Sequence, residues 1–230
     1  QIREKEDAEA LSVLDFDLLM EKIKTETKTR PVTGLRQALH FVLPGEPCSF
    51  AGKLPKIMPA AVFGRVNGVR RMKVYNGIVE LTVGPLAGKV EVELVKKKAA
   101  DLPQTMFAYM GSSGNSVKIW TLFTRPDGTL PQTQEEAELF QAHAYRLAVK
   151  CYQPMLPFDI DLKEPVLAQR CRMTLDESPY YNPDAVPFCL EQPLTMPGEE
   201  TFRQRKQEEK NPLLRLQPGY ESAQTFTKIY

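Results

Sequence analysis

The chain has 230 residues, 42% of them hydrophobic and 26% charged, which suits a globular protein able to bury a core. The 30 basic and 29 acidic residues leave a net charge of +1. That excludes a global field drawing the chain to nucleic acid or membrane, so any polyanion site has to be a local patch. No apolar run approaches the roughly 20 residues of a membrane span, so no membrane partner is expected.

The charged opening at residues 1–7 does not read as a secretory signal. Cys48, Cys151, Cys171 and Cys189 are scattered without a CxxC pair, and the two histidines, His40 and His143, give no zinc spacing. A reduced cytoplasmic protein is expected, with two disulfides left open. The 19 prolines gather after residue 150 and predict a loop-rich second half.

In chain order, Leu11, Leu14, Leu18, Leu19 and Ile23 fall close to a helical period within residues 8–28, with Ser12 or Asp15 as N-cap. Residues 34–43 read as a second short helix or turn, stopped by Pro44-Gly45. Residues 60–66 fit a strand at a sheet edge, and Gly68 with Arg70, Arg71 and Lys73 reads as a basic turn. Asn76-Gly77 supplies a turn before the β-branched run that ends at Val83. The alternation in "KVEVELVKKK", residues 89–98, favours a half-buried strand, with a helix as the alternative.

Residues 107–109 and 117–124 form a hairpin around "MGSSGNS". Residues 133–151 are the clearest helix, opened by the Thr133-x-x-Glu136 capping pattern. Leu139, Phe140, His143, Leu147 and Cys151 should share its inner face, with His143 at the core edge. Residues 169–174 read as a strand, residues 176–187 as turns, and the chain from Pro197 as a polar tail.

Three constellations carry chemistry. The Gly/Ser loop before Lys118 lets the backbone approach a ligand closely, so its N–H groups can cradle a phosphate beside the lysine charge. Alone it reads equally as a serine-rich turn, and it is not a P-loop because Lys118 lies on a strand. Asp159 and Asp161 alternate onto one face of an extended segment, a spacing that can ligate Mg²⁺. Arg65, Arg70, Arg71 and Lys73, with Arg170 and Arg172, form a basic set suited to phosphate contacts or simply to a solvated surface. On residues alone the reading ends at an α+β domain with a phosphate-binding option.

Four segments in order, "KLPKIMPAAVFGRV", "YNGIVELTVGPL", "YMGSSGNSVKIWTLF" and "DIDLKEPVLAQRCRMTLDESPYYNPDAVPF", resemble the VirE N-terminal domain family. These are bacterial proteins, often carried by mobile elements, whose domain is similar to the archaeo-eukaryotic primase-polymerase fold. The resemblance implies a two-part α+β domain over residues 1–195, its second part an RRM-like antiparallel or mixed sheet flanked by helices. Residues 196–230 would then be a polar C-terminal extension. It also implies a cleft for nucleotide and template, and a link to mobile-element DNA replication.

By position, Ser113, Gly114, Asn115 and Lys118 match the family's Ser-Gly-x-Gly-x-Lys nucleotide loop, with Ser116 in place of its second glycine. Asp161 matches the later metal-side aspartate, and Arg170 the basic residue that follows it. The departure is at Thr82 and Gly84, where family members carry an Asp-x-Asp pair that holds divalent metal. Asp161 with Asp159 and a displaced Glu80 is a poor substitute for that pair, because two-metal transfer needs several carboxylates to offset the ions' charge.

The resemblance therefore implies a degenerate domain that binds nucleic acid or nucleotide without polymerising. Mg²⁺ or Mn²⁺ is needed only if catalysis persists. The alternatives are an active primase or nucleotidyltransferase using Asp161, Asp159 and Glu80, and an interaction module that keeps only the fold. Related proteins continue into a helicase-like ATPase. No Walker motif occurs in this sequence, so a separate helicase or ATPase chain is an expected partner.

Overall fold

The computed structural model describes residues 13–26, 28–42, 48, 51–52, 54–67 and 69–191. Its elements are α1 (Phe16–Lys24), α2 (Pro31–Leu39), β1 (Lys56–Ile57), β2 (Ala61–Val66), β3 (Val69–Tyr75), β4 (Ile78–Val83) and α3 (Lys89–Ala100). They continue with β5 (Thr105–Met110), β6 (Val117–Thr124), α4 (Gln134–Tyr152), β7 (Cys171–Arg172), β8 (Tyr180–Tyr181) and β9 (Phe188–Cys189). The fold is α+β.

The main sheet runs β4-β6-β5-β8, each neighbour antiparallel, while β9 pairs in parallel with the last two residues of β6. Because β4 and β5 both run against β6, they are parallel to each other. The chain must therefore cross back between them, and α3 makes that crossover. This is why residues 89–98 form a helix rather than the expected strand. The Val-Glu alternation spans only a few residues, while burial of Val92, Val95, Lys96 and Ala99 follows the helical stripe.

One face of the sheet, carrying Val79, Leu81, Val83, Ile119 and Phe123, is fully buried, with α3 packed against β5 and β6 and α4 against β4. The inner side of α4 is Ala137, Phe140, Gln141, Ala144, Tyr145, Ala148 and Tyr152. Of the expected face only Phe140 is buried; Leu139, His143, Leu147 and Cys151 are half-buried. Small alanines let the helix axis approach the sheet, and that turns the larger residues to the sides. Thr133 caps α4 by accepting from the Glu136 N–H at 3.3 Å, as its pattern predicts.

On the opposite face, Leu19 and Ile23 of α1 pack with Phe107, Tyr109, Trp120 and Cys171. Asp15 is the cap that α1 uses; the alternative cap Ser12 and the apolar position Leu11 lie outside the described residues. The helix α2 begins at Pro31, earlier than expected, and its foreseen stop at Pro44-Gly45 also lies outside the described residues.

Beside the main sheet, β2 and β3 form a two-stranded ribbon, and β1 pairs with β7. The basic stretch at Arg70, Arg71 and Lys73 is thus strand rather than turn: its residues alternate along β3, and the reversal falls at Asn67, whose φ of 53° asparagine tolerates well. Gly68 lies outside the described residues, as does the polar tail from Pro197. The strand expected at residues 169–174 is reduced to β7. The hairpin of β5 and β6 around the Gly/Ser loop forms as expected.

A basic cleft on the α1 face of the sheet

Unshifted pairing of β4 with β6 sets Glu80 opposite Trp120 and Thr82 opposite Lys118, so all four share the α1 face of the sheet. Glu80 and Thr82 therefore point the same way, with no bulge between them. Lys118 donates to Glu80 Oε1 and to Thr82 Oγ1, both at 2.8 Å, and the Trp120 indole donates to Glu80 Oε2 at 3.0 Å.

The segment around Asp159 and Asp161 runs along the free edge of β4 through an antiparallel bridge of Val83 with Ile160. The Asp161 N–H donates to the Thr82 carbonyl at 2.7 Å, and the Gly84 N–H donates to the Asp159 carbonyl at 3.2 Å. Both aspartates thus stand beside the two positions where the sequence lacks acids. Two residues on, Lys163 donates to Thr82 Oγ1 at 3.1 Å and pairs with Asp161 Oδ2 at 3.2 Å. The result is a continuous polar chain: Trp120, Glu80, Lys118, Thr82, Lys163, Asp161.

Thr82, Lys118 and Lys163 of this chain line a cleft of about 500 Å³, together with Lys56, Ser112, Ser113, Ser116, Arg170 and Arg172 among its polar residues. Among the described residues no acidic side chain lines it. The pairing of β1 with β7 sets Lys56 directly opposite Arg172, a like-charge juxtaposition that costs energy unless an anion is near. Cys171 also reaches the cleft, but burial pushes its thiol well above the usual range, so it is a weak nucleophile. The Tyr145 hydroxyl, which accepts from the Lys163 N–H at 3.0 Å, is pushed up to about 12 by burial.

The Gly/Ser loop meets the cleft differently from the sequence expectation. Its Gly111 N–H donates to the Ser116 carbonyl at 2.8 Å and its Gly114 N–H to the Gly111 carbonyl at 3.0 Å. Those two amides are used inside the turn, while Ser112, Ser113 and Ser116 line the cleft. Ser113, Lys118 and Arg170 come together there, whereas Gly114 and Asn115 do not line it.

Gly114, at φ 83°, lies against Arg36 of α2, and a Cβ there would sit 3.3 Å from the guanidinium Nε. Arg36 braces the loop by donating to the carbonyls of Gly111, Ser112 and Leu175 at 3.2, 3.3 and 2.7 Å. On the other side Gly84 approaches closely: a Cβ there would meet the Asn115 carbonyl at 2.9 Å.

The divalent metal that the resemblance brings with it does not fit these residues. Gly84 has no side chain, and the only side-chain oxygen of Thr82 already accepts from two ammonium groups, which would repel a cation. Glu80 is taken up by Lys118 and Trp120. The Asp159 and Asp161 side chains are exposed, one accepting from Gln153 at 3.3 Å and the other paired with Lys163. Among the described residues no group of three His, Cys, Asp or Glu converges to hold a metal ion. His143, on α4, does not line the cleft, and Arg65, Arg70, Arg71 and Lys73 belong to the separate ribbon of β2 and β3.

Sequence reading missed Lys56, Lys163 and Arg36. Lys163 was within reach, since the alternation that aligns Asp159 with Asp161 continues to it. Lys56 and Arg36 reach their places only through tertiary pairing.

Fold and site together define an α+β domain with a basic cleft on the α1 face of its sheet. The family described as BT4734-like, N-terminal domain matches residues 49–181, more than half of the chain, and the chain belongs to that family. No curated protein and no solved structure matches it. No helix among the described residues is long and apolar enough to cross a membrane.

Proposed function

We propose that this is a primase-polymerase-like domain of VirE N-terminal type that binds nucleic acid or nucleotide through phosphate groups and does not polymerise. The observation that carries this reading is the cleft lined by five basic side chains and three serines, with no acidic lining residue among those described. Cationic side chains and hydroxyls are the groups that hold phosphate oxygens. Catalysis by two-metal transfer would need carboxylates where Thr82 and Gly84 stand. The same basic lining argues against a module that keeps only the fold, for which a neutral cleft suffices.

Fluorescence polarisation with labelled single-stranded DNA, and competition by nucleotides, tests the reading. Binding at low salt is expected, with at least about a tenfold loss in Lys118→Ala. Absence of binding at low salt, or no change in Lys118→Ala, would sink it. In the same preparation, primer synthesis with Mg²⁺ or Mn²⁺ that Asp161→Ala abolishes would favour the active-enzyme alternative.

A further inference from the structure

Resting on that reading, we propose that Lys118 and Lys163, converging on the Thr82 hydroxyl, form a metal-independent clamp for the polyphosphate of a nucleotide. The ammonium groups would take the electrostatic place of divalent ions. Both donate to one oxygen, Thr82 Oγ1, at 2.8 and 3.1 Å. A hydroxyl has two acceptor sites and one proton. With both acceptor sites filled, the Thr82 O–H is left as a donor.

Each ammonium has three donors. Lys118 uses two, on Glu80 and Thr82, and Lys163 uses two, on Asp161 and Thr82. One N–H of each lysine and the threonine O–H thus remain as three donors around one point on the cleft wall, suited to one phosphate group. The opposed Lys56 and Arg172, with Arg170, supply a second cationic group in the same cleft. Two cationic groups in one cleft match a chain of linked phosphates better than a single anion. Bound cation would compete with the lysines for those oxygens rather than bridge to them, because the neighbouring carboxylates, Glu80 and Asp161, are already paired with Lys118 and Lys163.

Isothermal titration with inorganic tripolyphosphate and with ATP, in EDTA and then in excess Mg²⁺, tests the clamp on the full chain. Binding is expected in EDTA, equal to or tighter than in Mg²⁺. Lys163→Met should weaken it about tenfold or more, Thr82→Val should weaken it less, and Lys97→Ala, on an exposed turn of α3, should leave it unchanged. Thr82→Val preserves shape and both lysines, so it keeps the test valid should Lys163→Met disturb the fold.

Binding that appears only with Mg²⁺, or that survives Lys163→Met undiminished, would overturn the clamp while leaving nucleotide binding itself intact. No binding of polyphosphate, nucleotide or single-stranded DNA under either condition would overturn both the clamp and the reading beneath it.

Discussion

Asp176 is a residue whose importance only the folded chain reveals. It is 4% exposed, and its two oxygens accept from Lys96 Nζ at 3.2 and 3.0 Å, from the Met110 N–H at 2.8 Å and from the Ser178 N–H at 3.1 Å. It therefore ties the segment after β7 to α3 and to the end of β5, immediately before the Gly/Ser loop. Lys96 is itself buried and also meets Glu93 at 2.9 Å. Removing Asp176 leaves Lys96 with the exposed Glu93 and the Ser178 carbonyl, so the loss falls at or somewhat below about 3–5 kcal/mol, the cost of a broken buried pair. Asp176→Asn should lose stability on that scale in urea unfolding. A change below about 1 kcal/mol would show that this pair does not hold the segment. Nothing in "TLDESPYY" marks Asp176 in advance, because a carboxylate in a turn-rich stretch is ordinarily solvated.

At the scale of elements, α2 shows how a helix start can be hidden. Its N-cap residue, Arg30, sits at φ 42° and its side chain makes no capping bond. The cap comes from further back. Glu26 accepts from the Val32 N–H and from the Thr33 N–H at 2.9 Å, and also from the Thr33 hydroxyl. Partial burial raises the Glu26 carboxyl, but these donors outweigh it and hold the group below its ordinary value of 4.5.

The sign follows: a carboxylate with a depressed folded pKa stabilises above its unfolded pKa, and that contribution fades as pH falls through the folded value. Glu26→Gln should lower the melting temperature at about pH 6, and the gap to the native chain should close as pH drops below about 4.5. A gap that stays constant through acid would rule out the carboxylate cap. Since α2 carries Arg36, loosening its first turn should also loosen the Gly/Ser loop. The sequence offers Pro31 as a helix opener, but the capping position itself is Arg30 rather than Ser, Thr, Asp or Asn, so the element is readable and its start is not.

Across the whole molecule, local patterns in the sequence were legible where their own period was enough. The hairpin of β5 and β6 and the run of β4 declare themselves by alternation and turn residues, and α4 by its cap. What failed depended on neighbours. Residues 89–98 become helix because the strands on either side run parallel, a fact of sheet order. The inner face of α4 is set by how closely alanines let it approach. The cleft was half legible: Ser113, Lys118 and Arg170 could be named, but Lys56 joins them only through the pairing of β1 with β7. The near-neutral chain has no long-range field, so a polyanion bound there would be held by the local group alone.

Trp120 is the chain's one tryptophan, 2% exposed, and its indole N–H donates to the same carboxylate that holds Lys118. The protein therefore contains its own optical reporter of the cleft. An anion that draws Lys118 away from Glu80 would leave the indole facing a less compensated carboxylate and shift its emission. Titrating unlabelled tripolyphosphate should change the intrinsic fluorescence saturably. Glu80→Gln, which removes the charge between the two residues, should silence that change even where binding persists.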